Sequence, residues 1–216
     1  MPFDVSEPGI LTVTGTTSQY TGGVQVSCAG AMDGSIDATV SGGSAPYTYA
    51  WNGPSGTSFI SEDIISVGAG TYTLAVTDMN GCASLAAFTL NSPDPLVIGL
   101  QSSTYSGSDL SCANSTDGAV NATVTGGVPA LSFAWSGPNG YLATSDDLGG
   151  LSAGLYGLTV TDVNGCTATD SITLVAPDAL SSIVSSPTYN SGDNVSCAGD
   201  MNGSIDLAWN GGTGFV

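Results

Sequence analysis

VTDMNGC at 76–82 and VTDVNGC at 160–166 spell nearly the same seven-residue phrase, 84 residues apart. Each copy follows a stretch of alternating apolar and polar residues and precedes another such stretch. Asn-Gly is a strong hairpin-turn pair, because both residues tolerate positive φ. The Asp two positions earlier is placed to hydrogen-bond the turn backbone. The phrase therefore reads as the hairpin that joins the last two strands of a unit, and its recurrence reads as a tandem repeat.

The cysteines carry the same period. Cys28, Cys112 and Cys197 are 84 and 85 residues apart, and Cys82 and Cys166 are 84 apart. Asp33 aligns with Asp117, Trp51 with Trp135, Glu62–Asp63 with Asp146–Asp147, and Tyr72 with Tyr156. A third copy opens with VSCAGDMNGSIDLAWNGG at 195–212, matching VSCAGAMDGSIDATVSGG at 26–43. The expected organisation is the end of a preceding segment (1–7), two complete repeats (8–92 and 93–176) and the first half of a third (177–216). Pro-containing junctions, NSPDPL at 91–96 and VAPDAL at 175–180, stiffen the connections.

Inside each repeat the apolar period is two. Ile36, Ala38 and Val40 share one face, as do Tyr47, Tyr49 and Trp51, and Tyr72, Leu74 and Val76. Further strands are expected at 10–15, around Phe59 to Ile64, and at 86–90. About seven short strands per repeat and no helical stripe predict an all-β chain of tandem immunoglobulin-like β-sandwiches. Trp51, Tyr72, Trp135 and Tyr156 are its expected core signature. A small barrel is the alternative architecture.

Composition excludes several classes of function. The chain has 18 Asp plus Glu, no Lys, Arg or His, and a net charge of −18. Phosphate neutralisation needs Lys or Arg, so no nucleic acid is expected as a partner. Direct contact with an anionic membrane surface fails for the same reason. Without imidazole or amine no Ser-His-Asp or Cys-His nucleophile can be assembled. A carboxylate pair of the glycosidase kind is disfavoured by its repetition in every unit. The chain is read as no enzyme, with no catalytic residue and no resident cofactor. MPFDVSEPGI shows neither a basic nor an apolar leader segment, so an export signal is expected upstream of it.

One cysteine opens and one closes each complete repeat, 54 residues apart in both. Of the three matchings of four cysteines, only Cys28–Cys82 with Cys112–Cys166 keeps every bond inside a repeat. Such a bond is worth about 4 kcal/mol by chain entropy, and free buried thiols are the alternative. Asp78, Asn80, Asp162 and Asn164 are candidate calcium ligands, although the string lacks the ligand count of an EF-hand loop. Turn capping by the same oxygens is the competing reading. Sequons stand at Asn114, Asn121, Asn194 and Asn202.

Three linked motifs complete the pattern: C-x-x-x-x-D-G-[SA]-[IV], GG-x-x-x-[YL]-x-[YF]-x-W and AG-x-Y-x-[LV]-x-V-T-D-x-N-G-C. Together they resemble the SprB-type repeat of large surface adhesins of gliding Bacteroidetes. The resemblance implies an extracellular, cell-surface location, type IX secretion, a stalk or filament built of repeats of one long chain, and a role in adhesion or gliding. It supplies no binding residue. The third copy departs from it, with Asn202 in the place of Asp33 and Asp117 and Trp209 in the place of Val40. Two other readings compete. A carbohydrate-binding module would present Tyr20, Tyr105 and Tyr189 to surface glycans or a substratum. A self-assembling fibre subunit would receive a strand from a neighbour.

Overall fold

The computed structural model of the 216-residue chain describes residues 7–190 and 192–212. It is all-β, built of antiparallel sheets. The first repeat holds seven strands: β1 (Thr12–Thr17), β2 (Gly34–Ser41), β3 (Thr48–Asn52), β4 (Ser58–Phe59), β5 (Ile64–Val67), β6 (Gly70–Thr77) and β7 (Ala83–Leu90). They form a three-stranded sheet in the order β1-β2-β5 and a four-stranded sheet in the order β4-β3-β6-β7. The two sheets share one core. Ile36 and Ala38 of β2 and Ile64 and Val67 of β5 pack with Trp51 of β3, Tyr72, Leu74 and Val76 of β6, and Leu90 of β7. The period of two read from the sequence is thus the alternation between core and solvent on each strand.

Two features mark the sandwich as immunoglobulin-like. Tyr72, near the start of β6, donates its hydroxyl to the carbonyl of Gly68 four residues upstream, at 3.0 Å. Tyr156 does the same to Ser152, also at 3.0 Å. A buried Trp on the third strand completes the signature. Trp51 donates its indole N–H to Ser61 O at 3.0 Å.

That last bond explains a difference from the sequence reading. The segment between Phe59 and Ile64 is not a strand but the crossover from the four-stranded to the three-stranded sheet. The indole N–H of Trp51 holds its backbone, and Asp63 Oδ1 accepts the Ala38 N–H of β2 at 2.9 Å.

The second repeat copies the first through β8 (Val97–Ser102), β9 (Gly118–Thr125), β10 (Ser132–Ser136), β11 (Leu142–Ala143), β12 (Leu148–Leu151), β13 (Gly154–Thr161) and β14 (Thr167–Leu174). The sheet orders, β8-β9-β12 and β11-β10-β13-β14, are those of the first repeat. Val120, Trp135, Leu148, Leu151, Tyr156, Leu158, Val160 and Leu174 are buried. The third copy contributes the hairpin of β15 (Ser181–Ser185) and β16 (Asp206–Asn210). Its Ile205, Leu207 and Trp209, the counterparts of Ile36, Ala38 and Val40, are exposed.

The described chain falls into two compact units that do not follow the repeat boundaries. The first comprises the residues up to Val97 together with Val124–Ser132 and Val160–Ala168. The second comprises Ile98–Thr123, Phe133–Thr159 and the residues from Thr169 onward. The tips of the second repeat, including VTDVNGC, therefore belong to the first unit.

Candidate functional site

The two VTD-x-NGC hairpins are built alike. Asp78 Oδ1 accepts the backbone N–H of Asn80 and of Cys82, both at 2.9 Å, and Oδ2 accepts that of Ser44 at 2.9 Å. Asp162 repeats this with Asn164, Cys166 and Val128, each at 2.9 Å. Both carboxylates are about 95% buried, so the N–H donors replace their lost hydration. Gly81 and Gly165 supply the left-handed φ that closes each turn, +84° and +87°. The bonds from Ser44, Cys82 and Asn80 hold the Asp78 carboxyl below its ordinary range, Ser44 first, against the opposing effect of burial.

This geometry accounts for the oxygens that the sequence offered to calcium. Three N–H donors occupy each Asp carboxylate, and Asn80 turns its amide N–H to Ser44 Oγ at 3.0 Å. Among the described residues no group of three or more acidic, His or Cys side chains is placed to hold a metal. In this structure the Asp78 and Asp162 carboxylates lock the turns through backbone N–H groups, and Asn80 and Asn164 donate their side-chain amides to Ser44 and to Thr21 and Ser27 respectively.

Asp33 and Asp117 brace the opening loops. Asp33 Oδ1 accepts Ser27 N–H at 3.1 Å, and Asp117 Oδ1 accepts Ser111 N–H at 3.2 Å and the Ser115 hydroxyl at 2.7 Å. Bonds to Ser27, and to Ser111 with Ser115, lower the pKa of Asp33 and Asp117 respectively. In the third copy Asn202 Oδ1 accepts Ser196 N–H at 3.1 Å. An amide oxygen does the same work, so the position needs an acceptor and no charge. Tyr20 and Tyr105 donate their hydroxyls to the carbonyls of Asp33 and Asp117, at 3.2 and 3.3 Å. Their recurrence is explained by this tie to the loop.

The cysteines depart from the expected pairing. Cys28 is bonded to Cys166, 138 residues away, with Cα atoms 5.6 Å apart. Cys82, Cys112 and Cys197 are exposed thiols. Neither Cys28–Cys82 nor Cys112–Cys166 forms, and β7 and β14 show why. Gln25 and Val26, just before Cys28, donate their N–H groups to Asn91 O at 2.8 and 3.1 Å, past the far end of β7. Cys82 precedes the near end of that strand. Eight extended residues span roughly 25 Å, whereas a disulfide needs Cα atoms within about 7 Å. In the second repeat Asp109 N–H donates to Val175 O at 2.9 Å, which puts β14 between Cys112 and Cys166 in the same way.

The opening loop and the closing hairpin thus occupy opposite ends of a sandwich. Around the bond, Asn164 Nδ2 donates to Thr21 O at 3.1 Å and Ser27 O at 3.4 Å, and Val128 packs on Gly22. All of these residues lie in the first compact unit.

The chain is thus a tandem of seven-stranded sandwiches whose closing hairpins and opening loops are each locked by a buried or loop-bracing acceptor. Residues 24–56 and 104–140 match the family model described as SprB repeat. A solved structure described as "Crystal structure of tetra-tandem repeat in extending region of large adhesion protein" is 16% identical, with a TM-score of 0.29. The match covers 93% of this chain and 62% of that one, so the chain spans less than two thirds of that structure. No curated protein matches the chain. No helix among the described residues is long and apolar enough to cross a membrane.

Proposed function

We propose that this chain is a stretch of the stalk of a large, secreted cell-surface adhesin, which holds an adhesive tip away from the cell for attachment or gliding. The carrying observation is that a SprB repeat matches in each of the two complete sequence repeats. On this reading the repeats at 8–92, 93–176 and 177–216 are successive modules of one long chain, and their main partners are one another. The chemistry agrees with an inert spacer. Among the described residues no buried polar side-chain atom lacks a hydrogen-bond partner, and like charge keeps such surfaces from associating. Export through a type IX route and movement along the cell surface are part of the same proposal.

Antibodies raised against the 216-residue chain test the reading. They should label the surface of intact cells that make the protein, and their Fab fragments should reduce attachment or gliding. Labelling only after the cells are opened would overturn it. A glycan array probed with the chain separates the carbohydrate-binding alternative: binding that is lost in Tyr105→Ala would replace the stalk by a recognition module.

A further inference from the structure

The Cys28–Cys166 bond joins the opening loop of one sequence repeat to the closing hairpin of the next. Every part of that junction recurs in the chain. The closing hairpin of the first repeat has the internal bonds of the second, and its Cys82 is an exposed thiol. The opening loops at Cys112 and Cys197 copy the loop at Cys28: their carbonyls accept the N–H of Ser115 and Asp200, both at 3.1 Å, as Cys28 O accepts Ala31 N–H at 3.0 Å.

The connection between repeats is clamped at each tip in the same way as well. Gly127 N–H donates to Asp94 O at 2.9 Å, Gly212 N–H to Asp178 O at 2.9 Å, and Gly43 N–H to Gly9 O at 2.7 Å. What differs is occupancy: Cys28 is bonded to Cys166, whereas Cys112 and Cys197, in the other two opening loops, are exposed thiols.

We infer that the opening cysteine of each repeat bonds to the closing cysteine of the repeat that follows it. Cys112 and Cys197 are then sites for the closing hairpins of later repeats, and Cys82 is the site for the opening cysteine of an earlier one. Each link removes two thiol hydrogens and two electrons, which pass to a disulfide oxidant that leaves as two thiols. Bonds of this kind never close within a module. They run along the chain as a series of staples, each spanning one junction. The inference rests on the bond and its repeated parts, not on the adhesin reading.

The experiment extends the chain. Residues 48–92 are added after Val216, which completes the third repeat and supplies a grafted copy of Cys82. The protein is refolded with oxidised and reduced glutathione, alkylated, digested with pepsin at acid pH and mapped by mass spectrometry. The inference expects peptides linking Cys28 to Cys166 and Cys112 to the grafted cysteine, with Cys82 and Cys197 alkylated. A link from Cys197 to the grafted cysteine, or an alkylated Cys112 in the folded protein, overturns it. Should the extended chain fail to fold, Cys28→Ser in the 216-residue chain decides. Four thiols, Cys166 among them, should then be alkylated. A new Cys112–Cys166 link would show that pairing is set by availability and would overturn the rule.

Discussion

The hairpins at 76–82 and 160–166 have almost the same residues and the same three carboxylate bonds, yet one ends in an exposed thiol and the other in a disulfide. Their Asn residues diverge with them. Asn80 turns back to Ser44 within its own repeat, and Asn164 reaches the carbonyls of Thr21 and Ser27 in the preceding one. The comparison separates two levels of cause. Hydrogen bonds over a few residues determine the shape of the tip, so identical strings give identical tips. What the tip touches depends on which end of a sandwich faces it, and that is a property of topology.

The largest expected effect comes from undoing the difference. Cys166→Ser removes a cross-link over 138 residues, worth about 5 kcal/mol in the chain-entropy model. Cys82→Ser should leave the urea midpoint unchanged. Equal losses in the two variants would show that the hairpins are equivalent after all.

Next come the cores under the tips. Trp51→Ala and Trp135→Ala each empty a site at most 2% exposed, and each should cost about 3–5 kcal/mol in urea unfolding followed by circular dichroism. A marked inequality between them would mean that the two sandwiches are not the same structure.

The turn carboxylates rank third. Asp78→Ala and Asp162→Ala should lower the urea midpoint by matching amounts, smaller than for the Trp variants. If the turn is the local device described, neither should disturb the far end of its sandwich, as amide exchange at Gln25 and Asp109 can report. The acid limb of stability sharpens the point. Asp33, Asp78 and Asp117 have carboxyls lowered from 3.8. Their contribution is therefore complete above that pH and is lost as pH falls through the lowered values. Thermal melts from pH 6 downward should be flat until that window. A loss beginning near pH 6 would contradict it.

The smallest effects concern one backbone position and calcium. Ser66 lies at φ +57°, and its counterpart in the second repeat, Gly150, at +70°. Ser66→Gly should gain about 1 kcal/mol by relieving the left-handed conformation, measured by the same urea titration. Calcium at millimolar concentration should leave the melting temperature where chelator leaves it, and a rise of several degrees would restore the ion site.

Much of this was legible in the residues. The alternation at Tyr72, Leu74 and Val76 and the turn signal at Asn80-Gly81 follow from contacts between near neighbours, and the strands and hairpins lie where those signals put them. The Tyr72 and Tyr156 signature is a local bond as well, four residues long. The crossover after Phe59 was not legible, because Phe59, Ile60 and Ile64 look like one apolar strand until the Trp51 indole and Asp63 are placed. The cysteine partners are not legible for a different reason. A period of 84 says which cysteines are equivalent, but not which copy each one meets. The assumption that bonds stay within a repeat ignored the length of β7. The sequence marks a strand at 86–90 after Cys82, and the full eight residues of β7, which carry the chain to the far end before the linker, come only from the structure.

The account is tested most directly by counting thiols in the unmodified 216-residue chain, folded under oxidising conditions and alkylated without reduction. One bond between Cys28 and Cys166 should leave three alkylated cysteines, 82, 112 and 197. A single alkylated cysteine at 197, with 28 joined to 82 and 112 joined to 166, would contradict it.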